Sequence, residues 1–289
     1  ITSRYPYPTL KGDQVRAHHH IRSLAEQGFE VVLVTFDNGQ RNPEFEKLCK
    51  AVYLVKPPKM SNIALRLGQL LFSNQPLQLA FFYSAAMTEA IEKAITVHQP
   101  NAAVLQLSRL GQYLASLQRH HIPTLLDLID SLAMNIDLKA KKAPFPLNLL
   151  WRLEANRLHP YELNLVSAVA AATVVSQKDK DYLAKNSILV NPNGVRVSAL
   201  SNQQRDAATL VFHGNMSYYP NVEAAKFLVN EVMPLVWQEM PQCKVQLAGA
   251  TPTKEVTDLA SERVEVTGFV ADVKPFLEKA TLGVYPILR

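Results

Sequence analysis

Glycine is what this chain most conspicuously lacks. Ten occur in 289 residues, about half the usual ~7%, so each has a backbone reason to stand where it does. No pair fits G-x-G-x-x-G and no G-x-x-x-x-G-K-[ST] exists, which argues against a dinucleotide-binding Rossmann enzyme and a P-loop NTPase. Cysteine is scarcer still: Cys49 and Cys243 fall in different halves and match no zinc or redox spacing. Buried thiols in a reducing compartment are therefore expected, not a disulfide. No stretch reaches the roughly 18 apolar residues of a membrane span; residues 163–175 are too short and contain Asn164 and Ser167. The protein is expected to be soluble or peripheral, in the cytoplasm. Basic residues are not interleaved with an aromatic stacking platform, which excludes a nucleic-acid binder.

What is present is a large apolar fraction, 48%, and a net charge of +5, which favours an anionic partner. Lys139, Lys141 and Lys142 are expected to follow a strand and to precede the apolar residues 145–151. Such a segment suits either contact with an anionic membrane or a solvated loop.

Lys11-Gly12-Asp13 leads into a helix, with Ala17, Ile21, Leu24 and Ala25 on its apolar period, His20 flanking that face, and Arg16 and His19 nearer solvent. Gly28 ends it. Residues 29–36 are a nearly continuous apolar run, as in a strand buried on both faces of a parallel sheet. Residues 51–55, 102–107, 124–129 and 171–176 repeat the type between helical stretches, the longest at 77–97 and 147–169. The pattern restarts after the polar residues 201–206. Strands at 209–213, 244–248, 264–267 and 282–285 alternate with helices at 222–240, broken by Pro234, near 254–260, and at 273–279. Strand and helix alternation implies doubly wound parallel sheets. We expect two α/β domains, residues 1–195 and an incomplete 196–289. Ile1-Thr2-Ser3 reads as the tail of a strand, and the chain as truncated at both ends.

Ligands of such folds gather where strands end. Asn191-Pro192-Asn193-Gly194-Val195, after the strand at 188–190, marks the seam between the halves. Lys11-Gly12-Asp13 opens a helix whose amino terminus offers N–H groups to an anion, with Asp13 an alternative N-cap. Asp127 and Asp130 close the strand at 124–129 and face opposite ways, so they are no acid/base pair; Asp130 is the better site candidate. Arg109 follows the strand at 102–107, placed to meet a phosphate or carboxylate or to make a surface ion pair. Gly214-Asn215, Gly249, Gly268 and Tyr285-Pro286 follow strands of the second half and would line one edge. His18-His19-His20 cannot grip one metal ion, because successive helical residues point about 100° apart.

The order Lys11-Gly12-Asp13, Arg109, Asp127-Leu-Ile-Asp130-Ser131, Arg152-Leu-Glu154, Tyr161-Glu162, Asn191-Pro-Asn-Gly-Val195 and Gly214-Asn-Met-Ser-Tyr-Tyr-Pro-Asn221 resembles the retaining glycosyltransferases of family 4. Within them it looks closest to sugar transferases associated with bacterial exopolysaccharide synthesis. Gly268-Phe-Val-Ala-Asp272 with Pro275-Phe-Leu277 is similar to that family's nucleotide-binding turn. The resemblance implies the GT-B architecture, two Rossmann-like domains facing across a cleft. It also implies a nucleotide-sugar donor, a glycan or lipid-linked acceptor, retention of configuration and no cofactor or obligatory metal.

Carried over by position, Gly12 and Asp13 would lie near the donor phosphates or the acceptor, and Arg109 and Asp130 on the acceptor side. Gly214 and Asn215 would approach the diphosphate and Val270 the nucleobase, with Asn193, Gly194, Gly249 and Tyr285 completing the donor side. Asn215-Met216-Ser217 stands where many relatives place Arg and Lys. The alternatives are a non-catalytic protein of the same fold that binds nucleotide or glycan, and a two-lobed small-molecule binding protein.

Overall fold

The computed structural model describes residues 1–194, 205–270 and 272–287. The chain divides into two compact units, residues 1–195 and 196–289. Val195 of the expected seam, residues 201–204 of the polar stretch and Ala271 lie outside the described residues.

The first unit contains strands β1 (Val32–Phe36), β2 (Ala51–Val55), β3 (Ala103–Gln106), β4 (Thr124–Ile129), β5 (Ala171–Val174) and β6 (Ile188–Val190). They pair in parallel in the orders β1-β2 and β3-β4-β5-β6. Parallel neighbours need crossovers, and helices supply them. These are α1 (Gly12–Glu26), α2 (Pro43–Glu46), α3 (Met60–Leu71), α4 (Ala85–His98), α5 (Leu114–Arg119), α6 (Leu132–Lys142), α7 (Leu147–Ala168) and α8 (Gln177–Leu183).

The first residues bind the two strand groups together. Gln106 N–H donates to the Ile1 carbonyl at 3.1 Å and Thr2 N–H to the Val34 carbonyl at 3.0 Å. Ile1-Thr2 thus lies between β1 and β3 as a strand would. Leu105, Leu126, Val174 and Ile188 of the central strands pack with Met87 and Ile91 of α4 and are essentially inaccessible, as the unbroken apolar runs require.

Local chemistry moves several boundaries from the sequence expectation. The strand expected from residue 29 starts at Val32. Gly28 adopts φ +85 and Phe29 N–H closes on the Leu24 carbonyl at 3.0 Å, a Schellman-type helix end that takes up these residues. Residues 77–97 are not one helix, because a 3₁₀ turn, Leu77–Phe82, precedes α4. There the Tyr113 hydroxyl accepts from Ser84 N–H at 2.9 Å and donates to the Phe82 carbonyl at 2.6 Å, replacing bonds a continuous helix would make. Lys139, Lys141 and Lys142 occupy the last turns of α6 and do not follow a strand. Cations there complement the helix dipole.

The second unit holds β7 (Thr209–His213), β8 (Lys244–Ala248), β9 (Val264–Gly268) and β10 (Leu282–Gly283) in one parallel sheet ordered β10-β7-β8-β9. Phe212, Leu228, Met233, Val245 and Leu247 form its core. Pro234 does not break the long helix after β7. Segments Tyr219–Phe227 and Met233–Glu239 are joined through a π-helical turn, Leu228–Val232. Proline lacks an N–H and its ring collides with the carbonyl four residues back, and a wide turn just ahead of it accommodates both defects. The strand expected over 282–285 pairs only through Leu282 and Gly283.

Candidate functional site

β3 is followed by, and β4 ends on, a non-glycine residue at positive φ: Leu107 at φ 70 and Ile129 at φ 67. For large side chains this is uncommon and costs about 1–3 kcal/mol each, and such strain clusters at functional positions. The β4–β5 register also shifts between Asp127 and Ile129. The strained residues immediately precede Ser108-Arg109 and Asp130-Ser131, the segments singled out in the sequence.

Arg16 corrects the sequence reading. Instead of lying near solvent it is buried, its Nε and Nη2 donating to the Asp127 carboxylate at 2.7 and 3.0 Å. Its Nη1 donates to the Asn193 side-chain oxygen at 2.9 Å, Thr173 Oγ1 donates to Asp127 at 3.0 Å, and His20 Nδ1 stands 3.7 Å from the same carboxylate. One guanidinium on α1 therefore ties β4 to the exit of β6. Asn193 is exposed but its side chain is engaged, and Gly194 is exposed beside it.

Asp13 is not the N-cap of α1, since Lys11 holds that position without a side-chain bond. It pairs with Arg4 at 2.9 Å and accepts from Ser3 Oγ, while Gln106 of β3 donates to its carbonyl. A Cβ at Gly12 would meet nothing within 4 Å, so packing does not demand a glycine there.

Arg109 does not make the surface ion pair left open from sequence. It is partly buried, donates to Gln78 Oε1 at 3.2 Å, lies over the Phe82 ring and has no ion pair among the described residues. Burial and nearby Arg4 pull its pKa below that of a free guanidinium, with Asp13, Asp130 and Glu162 opposing. Asp130 accepts from Asn135 at 2.8 Å, and burial raises its pKa.

Two carboxylates that the sequence offered only as part of the family resemblance, with no role, are supports. Glu162 of α7 is inaccessible and accepts from Ser108 Oγ, Ser131 Oγ and the Leu132 and Ala133 amides at 2.8–3.3 Å. It thereby fixes the β3 and β4 exits and caps α6. Glu154 accepts from the Leu77 and Gln78 amides, both at 2.9 Å, and so anchors the turn carrying the Gln78 that holds Arg109. Asp13, Arg109, Asp130 and Asn193 thus share one edge of the first unit. A cavity of about 420 Å³, a size that takes small ligands, is lined by neighbours of these residues, among them Arg4, Lys11, Gln14, Asp37 and Phe82, but by none of the four themselves. Among the described residues no three His, Cys, Asp or Glu side chains gather to hold a metal ion.

In the second unit the predicted residues follow the carboxyl ends of one sheet. A Cβ on Gly249 would lie 1.7 Å from the Gly214 carbonyl oxygen, and one on Gly214 would lie 2.7 Å from Asn221 Nδ2. Only a glycine at 249 permits that approach to backbone, whereas at 214 the Asn221 side chain would have to move. Gly214 N–H donates to Ala248, Met216 N–H to Ala250, and Gly249 N–H to Gly268, at 3.0–3.1 Å. Asn215 Oδ1 accepts from Ser217 N–H and Oγ and from Thr251 Oγ1. The loops after β7, β8 and β9 are consequently one hydrogen-bonded rim, beside the amino terminus of the helix at Tyr219. Val270, half-buried, follows Gly268. Tyr285 sets its ring edge-on to His213 at 5.2 Å. A second cavity, about 640 Å³, lies at the opposite, amino-terminal strand ends near Lys244 and Arg263, away from the edge where such sheets bind ligands.

His213 yields a pH test. Burial lowers its pKa from the ordinary 6.5, so in mildly acidic solution the unfolded chain binds the proton more readily. Its stabilising share is full above 6.5 and is lost as pH falls below that value. Relative to His213→Asn, the wild-type second unit should lose stability between pH about 7 and about 5. A difference in melting temperature that stays constant across that range would contradict this.

With both edges described, the comparisons can be placed. Residues 207–289 match the family model described as Glycosyl transferases group 1. The match lies within the second unit and covers less than a third of the chain. No curated protein matches the chain in sequence. In fold the chain is similar to sucrose-phosphate synthase from Thermosynechococcus elongatus, with TM-score 0.62 and 14% identity over 99% of this chain and 72% of that one. It is also similar to OtsA in its apo form, at 0.56 and 9% over 100% and 77%. A putative UDP-N-acetylglucosamine 2-epimerase from Listeria monocytogenes reaches 0.52 and 11% over 98% and 72%. The expected α/β fold of Rossmann-like, GT-B type halves is borne out. An epimerase among these relatives shows that the fold alone does not choose the reaction; the group 1 match over the Gly214–Gly249 rim narrows it.

Proposed function

We propose that the protein is a retaining glycosyltransferase of family 4, related to sugar transferases of bacterial exopolysaccharide synthesis. It moves a hexose from a nucleotide-sugar to a glycan or lipid-linked acceptor in the cytoplasm. The observation that carries this reading is the glycine contact of the second unit, where the Gly214 and Gly249 backbones touch inside the group 1 domain. A glycine pair that leaves backbone open beside a helix amino terminus suits a diphosphate.

Gly214 and Asn215 bind the donor diphosphate, and Gly249 keeps its approach open. Val270 meets the base through its backbone, and Tyr285 completes the donor side. Gly12, Asp13, Arg109 and Asp130 serve the acceptor edge. The chemical demand is to stabilise a departing diphosphate while the acceptor oxygen attacks an oxocarbenium-like centre from the same face. Helix dipoles, backbone amides and the Arg109 guanidinium are suited to that task without an obligatory metal or cofactor.

Transfer from uridine, guanosine and adenosine diphosphate sugars to candidate glycan and polyprenyl acceptors tests the reading, with product configuration read by proton NMR. Retained configuration supports it, and inverted configuration or none formed with any donor counts against it. One observation favours a second reading: Asn215-Met216-Ser217 replaces the basic residues of many relatives. Nucleotide binding without turnover would establish that non-catalytic role.

A further inference from the structure

We infer that the first unit docks on an anionic phospholipid bilayer through a surface formed by α3 and the α6–α7 hairpin. Large apolar side chains stand open there: Phe72 is 95% exposed, Phe145 79% and Met60 74%, with Leu149, Leu150 and Leu153 also exposed. Leu150, Leu153 and Arg157 are spaced three and four apart, so they share one face of α7. Arg157 donates to the Leu70 and Leu71 carbonyls at 3.1 and 3.2 Å. The end of α3 bearing Leu71 and Phe72 is thereby fastened beside the exposed leucines, and the patch is continuous across two elements.

Charge selects the partner. The chain has 25 acidic residues, yet residues 47–88 and 138–153, which carry this patch, contain none. Lys56 and Lys59 flank α3, and Lys139, Lys141, Lys142 and Arg152 flank the apolar start of α7. Lys139 lies over the Trp151 ring and Lys141 pairs with Asp137, whereas Lys142 and Arg152 have no ion pair among the described residues. Among the described residues no helix is long and apolar enough to cross a membrane. An exposed apolar patch on segments whose own charges are all cationic fits a bilayer that offers hydrocarbon and anionic headgroups together, and lies on it. This extends the lysine contact expected from sequence to α3, which the sequence reading left out.

Flotation of the protein with vesicles of phosphatidylcholine, with and without phosphatidylglycerol, tests the inference without donor or acceptor. A failure of the transfer reading therefore leaves the result standing, and the reverse also holds. The protein should float with the mixed vesicles and remain unbound with phosphatidylcholine alone. The pair Phe72→Ser and Phe145→Ser should weaken binding about tenfold, and the pair Lys59→Glu and Lys142→Glu by more than about tenfold. Unchanged circular dichroism would show that these surface variants fold. Absence of flotation, equal binding to uncharged vesicles, or a dimer in solution that Phe72→Ser converts to monomer would each overturn it.

Discussion

Replacing Arg16 with Met should cost the first unit about 3–5 kcal/mol of stability, the usual loss when one partner of a buried ion pair is removed. Its partner Asp127 is inaccessible, and without the guanidinium it would keep, among the described residues, the Thr173 hydroxyl bond and His20 at 3.7 Å. The same change frees Asn193, held now by Arg16 Nη1. Adding Asp127→Leu should recover much of the loss, because an apolar pair of similar volume often replaces a buried ion pair without penalty. Trp151 lies in the first unit and Trp237 in the second. Urea unfolding followed by Trp151 fluorescence in a Trp237→Phe background therefore reports the relevant unit. An Arg16→Met loss below about 1 kcal/mol would show that the pair contributes little.

Arg109→Ala should do the reverse. Arg109 makes one side-chain hydrogen bond, to Gln78, and lies over Phe82, so its loss should change stability by only about 1 kcal/mol. Transfer should fall by about 10²–10³, the range for losing one electrostatic contact to a charge that develops in the transition state. The physical ground is that a cation held against burial and against Arg4, with no ion pair of its own among the described residues, is poised for an anion from outside the chain. Arg109→Lys keeps the charge but not the planar fork, and should restore activity only in part. Full turnover by Arg109→Ala would remove Arg109 from the mechanism. The contrast between the two arginines separates a residue that builds the edge from one that works on it.

Much of the fold is legible because central parallel strands are buried on both faces and must be apolar. The run at 124–129 accordingly matches β4 residue for residue, and the run at 51–55 matches β2, which is partly buried beside β1. Glycine scarcity located the second-unit rim, since Gly214 and Gly249 stand where two backbones touch. Arg16 was missed because its partners are 111 and 177 residues away, and the apolar period of α1 only said that it was off the main core face. A signal was present: Asp13, Arg16 and His20 fall at i, i+3 and i+7, a polar stripe on the helix that starts at Gly12. Glu162 stands in the sequence only within the family resemblance, and its role was hidden because a carboxylate within a helix reads as solvated until Ser108, Ser131 and the start of α6 are seen converging on it.

The central question is whether the second-unit rim holds a nucleotide. Titrating uridine, guanosine and adenosine diphosphates in turn into the labelled protein, with backbone amides followed by NMR, answers it directly. A donor site requires saturable shifts at Gly214, Asn215, Gly249 and Val270 with at least one of the three. No shift there with any of them, or shifts confined to the opposite strand ends around Lys244 and Arg263, would contradict it.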